Sequence, residues 1–233
     1  LFRSIPGLSL FAEYLHNEKA TRESFDEHGY FITGDRVTML ERGYIKFGDR
    51  SKDMLKVGGE NDAERMRAVR AAARGARLII DANEGWTPEN IRENLLAAAA
   101  VNATVVEQPL PSDNDAILSS IPHPVPICAD ESVHSTKDLA ALRDRYDYVN
   151  LKLDKTGGLT EGLAFMREAR THGFGIMVGC MVGTSLAMAP AVLLAQRADL
   201  VDLDGPLLLR QDRPHGLIYS SSTVSPPRPA LWG

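Results

Sequence analysis

From residue 62 onward the chain alternates two patterns: stretches whose apolar residues recur every three or four positions, and short runs that are apolar throughout. The first pattern buries one stripe of a helix, and the second suits strands covered on both faces, as in a parallel sheet. Residues 63–74 read as a helix with Met66, Val69 and Ala73 at helical spacing, followed by a strand over 77–80. Thr87 and Pro88 mark a cap and first helical position, opening a helix to about Val101, with a strand over 104–106. The same alternation continues with helices predicted over 113–120, 136–144, 159–171 and 185–196, and strands over 125–129, 148–153, 175–178 and 200–203. This is the grammar of an α/β protein of the β/α-barrel kind. Six strands fall short of the eight that close such a barrel, so the expectation is an incomplete (β/α)8-type barrel. An open barrel leaves two strand edges to pair with another chain, which keeps a homo-oligomer in view. The proline-bearing tail from Gln211 is expected to wrap the barrel end.

The first 50 residues have a different grammar. Phe11 to Glu27 reads as a polar helix, and the runs 36–40 and 44–47, joined by Glu41-Arg-Gly43, read as an antiparallel hairpin.

Composition and charge narrow the function classes. The chain has 233 residues, ordinary globular composition and a net charge of -5 with interspersed signs, which argues against a nucleic-acid or anionic-membrane surface. No apolar run approaches the roughly 20 residues that cross a bilayer, and no signal-peptide layout opens the chain. Cys128 and Cys180 each end an apolar run, as small buried residues do in a reducing, cytoplasmic protein; a disulfide or redox pair is the alternative.

Three apolar runs end on an acid: Leu78-Ile-Ile-Asp81, Val105-Val-Glu107 and Ile127-Cys-Ala-Asp130. They lie 26 and 23 residues apart, one strand plus one helix. Parallel strands point the same way, so acids at their C-terminal ends meet on one face. Three carboxylates there repel one another unless a cation sits between them, and hard oxygen donors suit Mg²⁺. Taken singly, each is equally a helix N-cap or a solvated loop acid. Lys152 ends another apolar strand on that face, where a lysine beside a cation has a lowered pKa and can act as a base; elsewhere it would be a snorkelling surface lysine. Asp202 and Asp204 alternate with leucine and so share one side of a strand, either to meet a cationic group or to cap the next turn.

Read in order, these strand ends resemble the enolase superfamily (mandelate racemase/muconate lactonizing enzyme-like), and within it the dipeptide epimerases. The matching pieces are Asp81-Ala-Asn-Glu-Gly-Trp86, Val106-Glu-Gln-Pro109, Ala129-Asp-Glu-Ser132, Asn150-Leu-Lys-Leu-Asp-Lys-Thr-Gly-Gly158, Gly179-Cys-Met-Val-Gly-Thr184 and Asp202-Leu-Asp-Gly-Pro206. The resemblance implies an isomerase that epimerises a dipeptide by proton abstraction α to a carboxylate through an enediolate. It implies Mg²⁺ on Asp81, Glu107 and Asp130, Lys152 as one acid/base, and Asp202 and Asp204 on the substrate α-ammonium. The second base would be Lys56 of Leu55-Lys-Val-Gly-Gly59, 25 residues before Asp81, and a strand over 52–57 would carry it. Another racemase or cycloisomerase of the superfamily, or an inactive fragment, stays open, because the resemblance lacks the capping domain and the first barrel strand.

Residues 1–61 resemble a different family, the adenylate-forming acyl-CoA synthetases, in Gly29-Tyr-Phe-Ile-Thr-Gly-Asp35, Asp49-Arg-Ser-Lys-Asp53 and Lys56-Val-Gly-Gly-Glu-Asn61. That resemblance implies ribose contacts for Asp35 and Arg50 and a hinge at Lys52. It covers too little to adenylate an acid, lacking the phosphate-binding loop and the small domain. The expected organisation is therefore a synthetase-like fragment over 1–51 joined to a truncated barrel over 52–233.

Overall fold

The computed structural model describes residues 35–39, 45–50, 62–72, 74–75, 77–220 and 223–232. The polar helix over 11–27, the strand over 52–57, Lys52 and Lys56 lie outside them. The hairpin is present in the backbone as β1 (Asp35–Met39) and β2 (Ile45–Arg50), antiparallel, with Asp35 opposite Arg50 and a bulge between Arg36 and Val37.

The remainder is one parallel sheet of six strands in chain order: β3 (Leu78–Asp81), β4 (Ala103–Glu107), β5 (Ile127–Ala129), β6 (Tyr148–Leu151), β7 (Gly175–Val178) and β8 (Leu200–Val201). The sheet curls into a half-barrel, as the strand count requires. The larger core, including Trp86, Ile91, Leu110, Val149, Leu151, Phe165 and Val192, packs helices against the outer face. A second, smaller cluster of Val105, Cys128, Met177 and Leu200, with Ile79 and Tyr148 against it, lines the concave face.

Helices follow the periodicity where it is long. α1 (Asp62–Ala72), α2 (Ile91–Ala100), α5 (Leu159–Thr171) and α6 (Ser185–Ala195) are regular, whereas α3 (Leu139–Leu142) and α4 (Leu153–Thr156) are single turns. Two expectations are corrected. The segment 113–120 is a 3-10 turn, Ala116–Ser120, with only Leu118 buried, because too few apolar positions exist to hold a full helix on the sheet. Helix α2 starts at Ile91, not at Pro88: Thr87 and Asn90 close a turn of their own, in which Asn90 Oδ1 accepts from Thr87 N at 2.8 Å.

The tail packs back rather than trailing away. The Asp212 carboxylate accepts from the Ser185 N–H (2.9 Å) and hydroxyl at the start of α6, and Tyr219 donates to the Leu203 carbonyl at 2.7 Å. A two-residue ladder, β9 (Tyr219–Ser220) with β10 (Thr223–Val224), ends it. Among the described residues no helix is long and apolar enough to cross a membrane.

Candidate active site

The period of two along a strand builds the site. Ile79, Val105, Cys128, Tyr148, Met177 and Leu200 face the concave side, and side chains two residues further along a strand share that side. Those positions are Asp81, Glu107, Asp130, Asn150, Gly179 and Asp202; two further still come Lys152 and Asp204. An apolar floor therefore carries a polar layer above it at the C-terminal end of the sheet, where β/α barrels place their chemistry. The structure brings together Asp81, Glu107, Asp130, Lys152 and Asp202; Lys56 lies outside the described residues.

Each carboxylate is held by a different neighbour. Asp81 ends the outer strand β3, opposite Glu107, and accepts from the Asn83 N–H at 2.8 Å. It is open to solvent on one side, yet the protein on its inner side raises its pKa by burial, helped by the charge of Asp130. Glu107 is 4% exposed and accepts from Asn150 Nδ2 at 2.7 Å. Burial first, then the Asp81 charge, pushes its carboxyl up to about 8. Asp130 pairs with Lys152 Nζ at 2.6 Å and with Lys155 Nζ, which also donates to the Asp130 carbonyl at 2.6 Å. Next to it, burial and the Asp130 charge push Glu131 up to about 7.

The Lys152 ammonium is governed by the acids around it. Burial pulls its ammonium down, but the hydrogen bond to Asp130 and the charges of Asp130, Glu107 and Glu131 outweigh that and hold it above the ordinary lysine value. At the far side of the site Asp202 and Asp204 are exposed while Leu203 between them is buried. Burial of its inner side and the Asp204 charge raise the Asp202 pKa. Asp204 stands at the first position of the 3-10 turn Gly205–Leu208 without a side-chain hydrogen bond to it, so the capping role does not hold.

Among the described residues no three acidic or imidazole side chains already stand as a finished cation cage. The donor set nevertheless matches Mg²⁺ in kind: three carboxylates on three successive strand ends, with the Asp130 charge raising the pKa of Asp81 and the Asp81 and Asp130 charges raising that of Glu107, and with positive charge drawn in as two lysine ammoniums.

Three further residues of the site lie inside the strand-end motifs, which assign them no role. Lys155 sits one helical turn beyond Lys152, Asn150 two residues before it on the same strand face, and Gln108 directly after Glu107. A polar residue inside an otherwise apolar strand is the one feature that marks Asn150. Asn150 is 1% exposed, and its Oδ1 has no hydrogen-bond partner among the described residues.

Residues 39–218 match the family model described as enolase C-terminal domain-like. This match begins inside the stretch that resembles the synthetases. Among curated proteins, the chain is 48% identical over 179 residues to an N-acetyl-D-glutamate racemase of Pseudoalteromonas sp., covering 77% of this chain and 57% of that protein. It is 48% identical over 173 residues to the L-Ala-D/L-Glu epimerase of Escherichia coli, covering 73% and 54%. The chain thus spans about half the length of the curated relatives it matches. Among solved structures, an enolase family member from Agrobacterium tumefaciens with homology to dipeptide epimerases, bound to sodium and L-Ala-L-Glu, is 63% identical with a TM-score of 0.74, over 76% of this chain and 54% of that one. The dipeptide epimerase from Cytophaga hutchinsonii, complexed with Mg and D-Ala-L-Val, is 31% identical with a TM-score of 0.67, over 72% and 48%. With its parallel half-barrel, its acids at successive strand ends and this match over most of its length, the chain belongs to the enolase C-terminal domain-like family.

Proposed function

We propose that the chain carries the catalytic face of a Mg²⁺-dependent dipeptide epimerase, an isomerase that inverts the α-carbon next to the substrate carboxylate. The observation that carries this reading is the 2.6 Å ion pair of Lys152 with Asp130, with Glu107 and Asp81 on the next two strands. In this reading Asp81, Glu107 and Asp130 hold Mg²⁺, which when bound supplies Lewis acidity to the substrate carboxylate and so eases loss of the adjacent proton. Lys152 takes or returns that proton on one face; a cation held by the neighbouring acids would offset the charges that attract its own proton and so make it a usable base. Lys56 does the same on the opposite face, since inversion needs a second acid/base. Asp202 and Asp204 receive the α-ammonium group. The Mg-bound and dipeptide-bound relatives support the metal and the substrate class.

Incubation of L-Ala-L-Glu and of L-Ala-D-Glu with Mg²⁺ in D₂O, followed by proton NMR of the C-terminal α-carbon, should reveal deuterium exchange that Lys152→Ala abolishes for one of the two epimers. Exchange retained in the combined Lys152→Ala, Lys56→Ala variant would refute the two-lysine assignment. A second reading, racemisation of an N-acylated amino acid, is favoured by the Pseudoalteromonas relative. Exchange on N-acetylglutamate that is insensitive to Asp202→Asn would select it, because that substrate has no ammonium group.

The same proposal keeps residues 1–51 as a synthetase-like unit without adenylating activity, joined to a barrel over 52–233, and its support is the residue strings alone. A reducing, cytoplasmic setting accords with Cys128, a buried free thiol that burial pushes far from its reactive thiolate form.

A further inference from the structure

Beneath the candidate site lies a polar network that the proposed chemistry does not use. Gln108 is fully buried, follows Glu107 directly, and adopts a left-handed backbone with φ 30°, a conformation costly for a residue with a Cβ. Its Oε1 accepts from the Asp130 N–H at 2.8 Å and the Ser132 N–H at 3.2 Å. Its Nε2 donates one hydrogen to the Leu110 carbonyl at 2.8 Å and shares the other between the Ser132 hydroxyl at 2.8 Å and the Tyr146 hydroxyl at 3.1 Å. Those two hydroxyls in turn each donate to Asp115 Oδ2 at 2.7 Å, and Arg145 pairs with the other oxygen of Asp115. The Ser132 and Tyr146 hydroxyls also lie 3.0 Å apart, a contact left without a proton of its own when both donate to Asp115. Asp115 takes the hydroxyl protons, which leaves the hydroxyl lone pairs to the amide nitrogen and turns the amide oxygen toward the backbone of 130–132.

The geometry points to Gln108 as a positioning residue: it ties the end of β4, which carries Glu107, to the turn that carries Asp130, and so sets the separation of two carboxylates that hold the cation. This rests on the cation reading given above. Buried polar groups with a full set of partners resist displacement, because moving the 130–132 turn would strand several of them at once. Asp130 is held from two sides: its side chain by Lys152 and Lys155, its backbone by Gln108.

The test is Mn²⁺ affinity of the full chain by electron paramagnetic resonance, in the parent, Gln108→Met, Ser132→Ala and Val192→Ala. Gln108→Met removes all three side-chain contacts to the turn at similar volume, and a weakening of about 10- to 100-fold is expected, the usual effect of losing a partner behind metal ligands. Val192→Ala, a core change far from the turn, should lower the melting temperature and leave Mn²⁺ affinity at the parent value, which a merely structural role for Gln108 would not distinguish. A folded Gln108→Met with parent affinity, or an equal loss in Val192→Ala at matched melting temperature, would overturn the assignment. If Gln108→Met does not fold, Ser132→Ala decides, since it removes the amide's bond to the side chain of the turn and one of the two hydroxyls that link the amide to Asp115, and parent affinity there overturns the assignment as well. A folded parent that binds no Mn²⁺ would instead overturn the cation reading, and this inference with it.

Discussion

A methyl group added at Gly179 should reach Glu107 through Asn150. A Cβ built at Gly179 would lie 2.6 Å from Asn150 Oδ1, 2.7 Å from Nδ2 and 3.0 Å from Cγ. Asn150 is short, on a strand and 1% exposed, so it has no open space into which to retreat. To admit the methyl, its amide must swing, and the 2.7 Å hydrogen bond to Glu107 breaks. Overpacking of this kind costs about 1–3 kcal/mol, and stranding a buried acceptor adds roughly 1–3 kcal/mol. The expected loss for Gly179→Ala is therefore roughly 2–6 kcal/mol, and at roughly 2–4 °C per kcal/mol for a chain of this size the melting temperature should fall by about 4–24 °C. Asn150→Ala removes the obstacle, so the two changes should not add. A double-mutant cycle from urea unfolding should find the combined variant no less stable than Asn150→Ala alone. Parent-like stability of Gly179→Ala, or losses that simply sum, would refute the claim that Gly179 is small to make room for Asn150.

Two further outcomes follow from particular groups. The hydrogen bond to Asp147 raises the pKa of His123, and although burial raises Asp147, its bonds from His123 and the Ile127 N–H outweigh that and lower it. The His123 contribution is thus full below 6.5 and lost as pH rises through its raised value, while that of Asp147 is full above 3.8 and lost as pH falls through its lowered one. The melting-temperature deficit of His123→Gln should accordingly be larger at pH 5.5 than at pH 8.5, and a deficit independent of pH would refute the pairing. Millimolar Mg²⁺ should raise the transition of the parent and not that of Asp130→Asn, with about 2.7 kcal/mol gained at a hundredfold excess over Kd; an equal shift in both would place the ion elsewhere.

Much of the fold is legible in the amino-acid sequence, for reasons that differ from element to element. Strand β7 and helix α5 have the bounds that the pattern predicts, because a buried parallel strand and an amphipathic helix each write a local period into the chain. The order of strands, the shortfall from a closed barrel, and the meeting of Asp81, Glu107 and Asp130 on one face likewise follow from alternation and the single direction of parallel strands. Helix starts are less legible: Thr87 and Pro88 carry a proper start signal, yet Thr87 to Asn90 form a turn closed by the Thr87 N–H on Asn90 Oδ1, and the regular helix begins only at Ile91.

What only the tertiary structure decided is which polar groups meet across the sheet. Asn150 belongs to Glu107, Lys155 to Asp130, and Gln108 to the turn after β5, each pairing spanning 22 to 43 residues of sequence. A period of two or of 3.6 states which side of an element a residue faces, and that is a local property of the backbone. The partner a buried polar atom finds depends on strand register and on the small steps at Gly179 and Gly205 that let chains approach. Those distances arise only when the whole sheet has curled, so the carboxylates could be read from the chain, while the groups that hold them in place could not.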